Sequence, residues 1–234
     1  MVDVVKTAAK KAKAHTRYYV VKNGKKIRVP GTTTITGVMD KPALVPWANK
    51  LGLMGIDVKG YVDDLANAGT CCHRMCELDC MGIKDPSKHD DMSEYTRDQI
   101  DLAETGYIKF LEWKEAVGLE PIGNELVLVH DELMYGGTVD IYCVLKKRNV
   151  RALIDIKTSK GVFGEHKTQV AGGYSLLLDY NKKLYDEVWI LRLGRNQDEG
   201  YESIKVTQQE IVNHQKRFRI CRELYEINKV CNKW

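Results

Sequence analysis

The sequence predicts a mixed α/β fold, a β-sheet with helices packed against it. Three apolar runs of strand length follow one another: "NELVLVH", "GTVDIYCVL" and "VRALIDIKT". Segments with helical periodicity precede and follow them. Further strand-like runs, "DEVWILRL" and "YESIKV", come before a last helical stretch. Helix, three strands, helix, strand is the order of a single α/β unit. With 234 residues and 44% hydrophobic content, the chain can bury one sizeable core.

Taken in order, Lys6–Ala14 is a short basic helix candidate. "RYYVVKNGKKIRVP" reads as a hairpin about Asn23-Gly24, the dipeptide suited to a two-residue turn with positive φ. Residues 31–52 are expected to turn through Pro42 and Pro46. One helix is expected around Val58–Ala68 and a second around Cys71–Met81, divided at Gly69-Thr70. Ser93 is placed to cap a long helix reaching about Val117, with Ile100, Ala103, Tyr107, Phe110 and Leu111 at helical spacing. After the three strands comes a helix over about Lys167 to Asp179. Thr207-x-x-Glu210 is a capping box opening the final helix. The organisation expected is one domain over residues 1–234. It comprises a basic extension (1–50), a helical region (51–120), the sheet core (121–206) and a C-terminal helix (207–234).

Charge is unevenly spread. Residues 1–50 hold 11 Lys and Arg against two acids, a net +9; the remainder holds 25 against 30, a net −5. A basic segment on a mildly acidic body suits a polyanion partner, nucleic acid first, or is simply a solvated lysine-rich tail. No apolar run approaches the length that spans a bilayer, so no membrane partner is expected. The first residues lack the apolar core of a secretory signal. Seven cysteines, four of them between Cys71 and Cys80, fit free thiols in a reducing compartment. The expected location is cytoplasmic, in a host cytoplasm if the protein is viral.

The stretch from Gly136 to Lys160, "GGTVDIYCVLKKRNVRALIDIKTSK", carries the chemistry. Asp140 sits inside one apolar run, and Asp155 inside the next with Lys157 two residues on. Alternation puts Asp155 and Lys157 on one face and Ala152, Ile154 and Ile156 on the other. If Lys146–Asn149 forms the loop and Leu145 pairs with Val150, Asp140 falls opposite Asp155, with Cβ atoms about 4.5–5.5 Å apart. Like charges at that distance need a positive partner. Lys157 is one candidate and a divalent cation a better one, since carboxylate oxygens are the hard ligands Mg²⁺ and Mn²⁺ prefer. The competing reading is a surface salt-bridge cluster on a polar sheet face.

G-x-V-D, D-x-K on the next strand and a following helix carrying Gln169 resemble the PD-(D/E)XK nuclease superfamily, and within it the RecB-like and phage-type exonuclease branch. "AGTCCHRMCE" places His73 where that branch has a histidine ligand, and "VPGTTTI" with "LVPWANKLG" resembles the segment ahead of it. The resemblance spans about Val29 to Leu193. It implies a restriction-endonuclease-like mixed sheet flanked by helices, with the basic hairpin and helical region preceding it. It implies Mg²⁺ or Mn²⁺ held by His73, Asp140, Asp155 and the Ile156 carbonyl, with Lys157 orienting or deprotonating a water or offsetting developing charge. Gln169 would hold Lys157 or a phosphate. There are two departures. The branch carries a tyrosine four residues after the glutamine; Gly173 stands there and Tyr174 follows, which on an α-helix turns the ring by about 100°. Val139 replaces the proline of the superfamily name. Only Cys221 and Cys231 lie near the C-terminus, so no iron–sulfur cluster is expected.

Other candidates follow from residue type. Arg28, Thr33 and Thr34 suit phosphate oxygens, as does Gln169, and Tyr174 suits a nucleic-acid contact. Trp47 suits base stacking, though core packing is the favoured reading. Glu77 and Glu125 are candidates for supporting roles. Cys72, Cys76 and Cys80 recur every four residues, a packing stripe rather than a zinc site. The expected activity is a metal-dependent DNA exonuclease acting in recombination, repair or replication. Its rivals are a structure-specific or restriction-like endonuclease, a non-catalytic DNA-binding scaffold, and a redox or zinc protein organised by Cys71–Cys80.

Overall fold

The computed structural model describes residues 16–231. The helix expected over Lys6–Ala14 lies outside them. The basic hairpin is β1 (Tyr18–Lys22) and β2 (Lys25–Val29), closed at Asn23-Gly24 with φ of 50° and 71°. Both turn residues therefore take the left-handed conformation that the two-residue turn requires.

Residues 31–52 are more helical than their prolines suggest. α1 (Thr32–Thr36) follows Gly31, and α2 (Leu44–Leu53) contains Pro46 at its third position. A proline there lacks only an N–H that the first turn leaves unpaired anyway. The two helices expected on either side of Gly69-Thr70 are one, α3 (Val58–Cys80). Gly69 does not break it, because it is buried there against Thr158; a Cβ at Gly69 would lie 2.7 Å from Thr158 Oγ1. Packing overrides propensity at this point. Ser93 lies in a 3₁₀ turn; the cap of the long helix is Thr96, in a capping box with Gln99, opening α4 (Arg97–Val117). Gly118 in the left-handed conformation ends it.

The sheet has five strands in sequence order: β3 (Leu119–His130), β4 (Tyr135–Leu145), β5 (Val150–Lys157), β6 (Glu187–Leu193) and β7 (Tyr201–Val206). β5 and β6 run parallel and all other neighbours antiparallel. The crossover between β5 and β6 is a continuous helical stretch. It consists of α5 (Gly164–Lys167), a π-helical segment (Thr168–Tyr174) and α6 (Ser175–Tyr180). Thr207 and Glu210 form the expected box before α7 (Gln208–Cys231).

Helices cover both faces. α3 and α4 pack on Ile141, Cys143, Leu145, Ile154, Ile156 and Leu191. The crossover helix, α7 and α1 pack on Tyr142, Leu153, Val188, Ile190 and Val206. Cys72 and Cys76 lie in the first of these cores, where burial raises the Cys76 thiol well above its ordinary value. The every-fourth-residue cysteine stripe is thus packing surface. No helix among the described residues is long and apolar enough to cross a membrane.

Candidate active site

The β4–β5 hairpin keeps the expected register, from Leu145 opposite Val150 up to Ile141 opposite Ile154. It departs from expectation one step later. The ladder stops there, and Asp140 and Asp155 are not a hydrogen-bonded strand pair. Asp140 instead turns its carboxylate to the backbone of β5, where Oδ2 accepts from Ile156 N at 2.8 Å. β4 also changes sides at this residue. Tyr135 and Val139 pack with the crossover helix, whereas Ile141, Cys143 and Leu145 pack with α3 and α4. Glu125, across from Asp140 in register, has a φ of 45° and is exposed. The strands therefore part at Asp140, beside the C-terminal end of β5.

Four of the expected residues meet there. His73 reaches it from α3, with Nδ1 3.4 Å from Asp140 Oδ2. Lys157 Nζ lies 2.6 Å from Asp155 Oδ2. Asp155 is almost wholly buried, at 1% exposure. Burial pushes its carboxyl up to about 6, with Asp140 adding to the rise and Lys157 opposing it. Asp140 is raised for the same first reason, against the pull of Lys157 and the Ile156 N–H. Burial alone would depress Lys157, but the charges of Asp155 and Asp140 outweigh it and leave the ammonium raised. His73 is held down to about 4, by burial first and then by Lys157. At neutral pH the centre thus holds a neutral imidazole, a charged ammonium and two acids that repel each other's ionisation.

The carboxylate oxygens and the backbone at Ile156, which also hydrogen-bonds to His73, are donors of the kind a hard divalent cation takes, and the imidazole nitrogen is a softer one beside them. Asp155 Oδ2 is buried without a partner in hydrogen-bond geometry, despite its short approach to Lys157. Its close neighbour is the Lys157 ammonium, a positive partner of the kind the paired acids require. Among the described residues, no group of three or more His, Cys, Asp or Glu side chains is arranged to hold a metal ion. The fit is therefore one of donor chemistry.

The π-helical segment settles where Tyr174 goes. In a π-helix the backbone bonds step five residues rather than four, a widened turn, and Tyr174 returns to the face of Gln169. Gln169 Nε2 donates to Tyr174 Oη at 2.8 Å and to Thr33 Oγ1 at 3.0 Å. Tyr174 is buried, and burial together with the charges of Asp155 and Asp140 raises its hydroxyl well above the ordinary value. Gly137 lies beneath Thr32 and Tyr174 with no room for a Cβ. Thr32 itself donates to Gly136 O, which ties α1 to β4.

Not every candidate joins the group. Thr34 is exposed on α1. Arg28 is exposed on β2, and no hydrogen bond or ion pair among the described residues ties it to the centre. Glu77 is paired with Arg74 at 2.5 Å, and its charge helps to raise Asp140. Trp47 is not a core residue: it is 38% exposed on α2, a helix with no buried side chain. Sequence reasoning also missed His166, three residues before Gln169. Its Nδ1 accepts from Phe163 N at 3.3 Å, and burial and then the Lys157 charge hold it down to about 4. The only hint of it in the sequence was that i, i+3 spacing from Gln169.

No family model matches the chain, and no curated protein matches it. Solved structures that match include the crystal structure of SSO0001. It is 16% identical over 68% of this chain and 74% of that chain, with a TM-score of 0.31, a likeness too slight to bear on fold or activity.

Proposed function

We propose that the chain is a divalent-metal-dependent deoxyribonuclease with the restriction-endonuclease-like architecture of the PD-(D/E)XK superfamily. It hydrolyses phosphodiester bonds from DNA ends, in recombination, repair or replication. The observation that carries this reading is the meeting of Asp140, Asp155, Lys157 and His73 where β4 and β5 part. A surface salt-bridge cluster would not bury Asp155 to 1% exposure beside a second acid. Such an arrangement costs stability, and groups held at that cost cluster at functional sites.

The chemistry that Mg²⁺ or Mn²⁺ supplies when held by His73, Asp140, Asp155 and the Ile156 carbonyl is water activation, charge relief and help to the leaving oxygen. Lys157, kept charged by its two acidic neighbours, orients the attacking water and offsets the negative charge that builds on the phosphate. His73 stays neutral, with a lone pair to offer. Gln169 gives its two amide N–H groups to Tyr174 and Thr33 and so positions both hydroxyls, whose own O–H groups can donate to a phosphate oxygen.

The test uses end-labelled linear and circular DNA, single- and double-stranded, with Mg²⁺ or Mn²⁺, beside Asp155→Ala and Lys157→Ala. Metal-dependent loss of linear but not circular DNA, abolished in both variants, is the expected result. Efficient cutting of circles would replace the exonuclease by an endonuclease. DNA binding without metal-dependent cleavage would replace both by a scaffold.

A further inference from the structure

We infer that the Arg195 guanidinium binds a backbone phosphate of the substrate strand, one helical turn of α3 away from the cleavage centre. The inference rests on the nuclease reading above and adds a substrate-contacting residue to it. Arg195 follows β6, and β6 runs parallel to β5, so both strands end on the same side of the sheet. Lys157 pairs in register with Arg192, three residues before Arg195. Ligands of open sheets collect beyond the C-terminal ends of parallel strands. There Arg195 lines a crevice with Gly69 of α3, Gly106 of α4 and Thr158, the residue after Lys157. The glycines let its walls come together. A Cβ at Gly69 would lie 2.7 Å from Thr158 Oγ1, and one at Gly106 would lie 2.9 Å from Cys72 Sγ. Gly69 precedes His73 by four residues of α3, about 6 Å at the helical rise.

The loop that carries Arg195 is held firmly, and its guanidinium is not. Gly194 N donates to Gly200 O at 3.1 Å, closing the loop on itself. Lys109 of α4, 7% exposed, donates its ammonium to Gly194 O at 3.2 Å and to Asn196 O. An ammonium is costly to bury, and this one fixes the backbone on either side of Arg195. Glu199, the acid whose charge reaches Arg195, is already engaged. It accepts from Arg192 Nη1 at 3.0 Å, from Asn196 Nδ2 at 3.1 Å and from the Arg195 backbone. No ion pair or hydrogen bond among the described residues takes up the Arg195 guanidinium. The side chain is partly buried, and burial lowers it against the pull of Tyr61 and Glu199. A guanidinium withdrawn from water without an acid beside it lacks an anion, and its planar fork matches phosphate oxygens. Thr158 brings a hydroxyl to the same crevice. The anion that a strand carries beside its scissile phosphate is the next phosphate of its own backbone.

The experiment is binding of the full chain to fluorescent oligo-dT over a series of salt concentrations, in EDTA so that nothing is cut. Arg195→Gln is compared with Arg195→Lys and with Lys182→Gln, which removes the same charge from an exposed residue ahead of β6, at the other end of the sheet. Arg195→Gln should lower affinity about tenfold. It should also flatten the slope of log K against log salt by about 0.7, the share of one phosphate on a single strand. Arg195→Lys should restore the slope and only part of the affinity, because it keeps the charge and loses the fork. Lys182→Gln should change neither. The slope reports phosphates contacted and not the amount of folded protein, so it decides even for a destabilised variant. A slope unchanged in Arg195→Gln, not restored in Arg195→Lys, or flattened equally in Lys182→Gln overturns the phosphate contact. A wild type without metal-dependent cleavage but with the Arg195-dependent slope would sink the nuclease reading and keep the contact. Metal-dependent cleavage with an unchanged slope in Arg195→Gln would do the reverse, and a wild type that does not bind the strand overturns both.

Discussion

Gln169 Nε2 stands 2.8 Å from Tyr174 Oη, five residues on, because the chain between them is π-helical. On an α-helix the two would point about 140° apart. The contact makes them one unit, with the Gln169 amide fixing the Tyr174 hydroxyl that the site would turn on its substrate. In a double-mutant cycle, Gln169→Ala and Tyr174→Phe should each lower kcat/KM about tenfold. The double variant should be little worse than either single one. Additive losses would show that the two side chains act separately.

The wide turn works as an inserted residue, which suggests removing one. Deleting Gly173 leaves a tyrosine four residues after Gln169, and an ordinary α-turn would then restore the contact. The deletion should fold, with cleavage within about tenfold of wild type and its Gln–Tyr coupling intact. Gly172→Ala should fare worse. A Cβ there would lie 2.5 Å from the His214 carbonyl oxygen of α7, and backbone does not easily yield. A loss of about 1–3 kcal/mol in chemical denaturation is expected. A destabilised deletion beside an unaffected alanine variant would show that the π-turn is needed for packing.

Asp140 separates structure from chemistry. Its Oδ2 accepts the Ile156 N–H where the ladder has stopped, so Asp140→Ala leaves that group without its partner, at about 1–3 kcal/mol. Asp140→Asn keeps an oxygen acceptor but loses the charge. Both variants should be without cleavage, and only the alanine should melt markedly lower than wild type. Equal melting temperatures would mean that water serves Ile156 as well as the carboxylate does.

The sheet was legible because its strands are apolar runs with clear turns, and the Leu145–Val150 register followed from loop length alone. Periodicity could not show that β4 changes sides at Asp140, since that depends on the packing of two helical layers. Nor could it show that Gly69 sits inside one long α3, where tertiary contact outweighs a local breaker. Asp140, Asp155 and Lys157 were readable as residue types at fixed spacing, and His73 only through the family resemblance. The place of Tyr174 was not, because sequence spacing was converted to angle with the α-helical period. Trp47 was assigned to a core by its hydrophobicity, and hydrophobicity says nothing of whether a neighbour exists to cover it.

Glu187 offers a pH test away from the site. It lies at the start of β6, 6% exposed, and accepts from Arg148 at 2.6 and 3.1 Å, Lys205 at 2.5 Å and Trp189 Nε1 at 2.9 Å. Burial pushes its carboxyl up, but these donors outweigh burial and hold it at about 2 against an ordinary 4.5. A carboxyl depressed on folding stabilises the fold fully above its unfolded value, and the contribution disappears as pH falls from about 4.5 through about 2. Arg148 and Lys205 are each nearly half exposed, so solvent screens much of the pairing. Glu187→Gln should therefore cost about 2 kcal/mol at pH 7 in urea denaturation. The gap to wild type should narrow steadily below pH 4.5. A gap that does not change with pH would mean that the cluster holds β6 by shape and neutral hydrogen bonds, and that its charge contributes nothing.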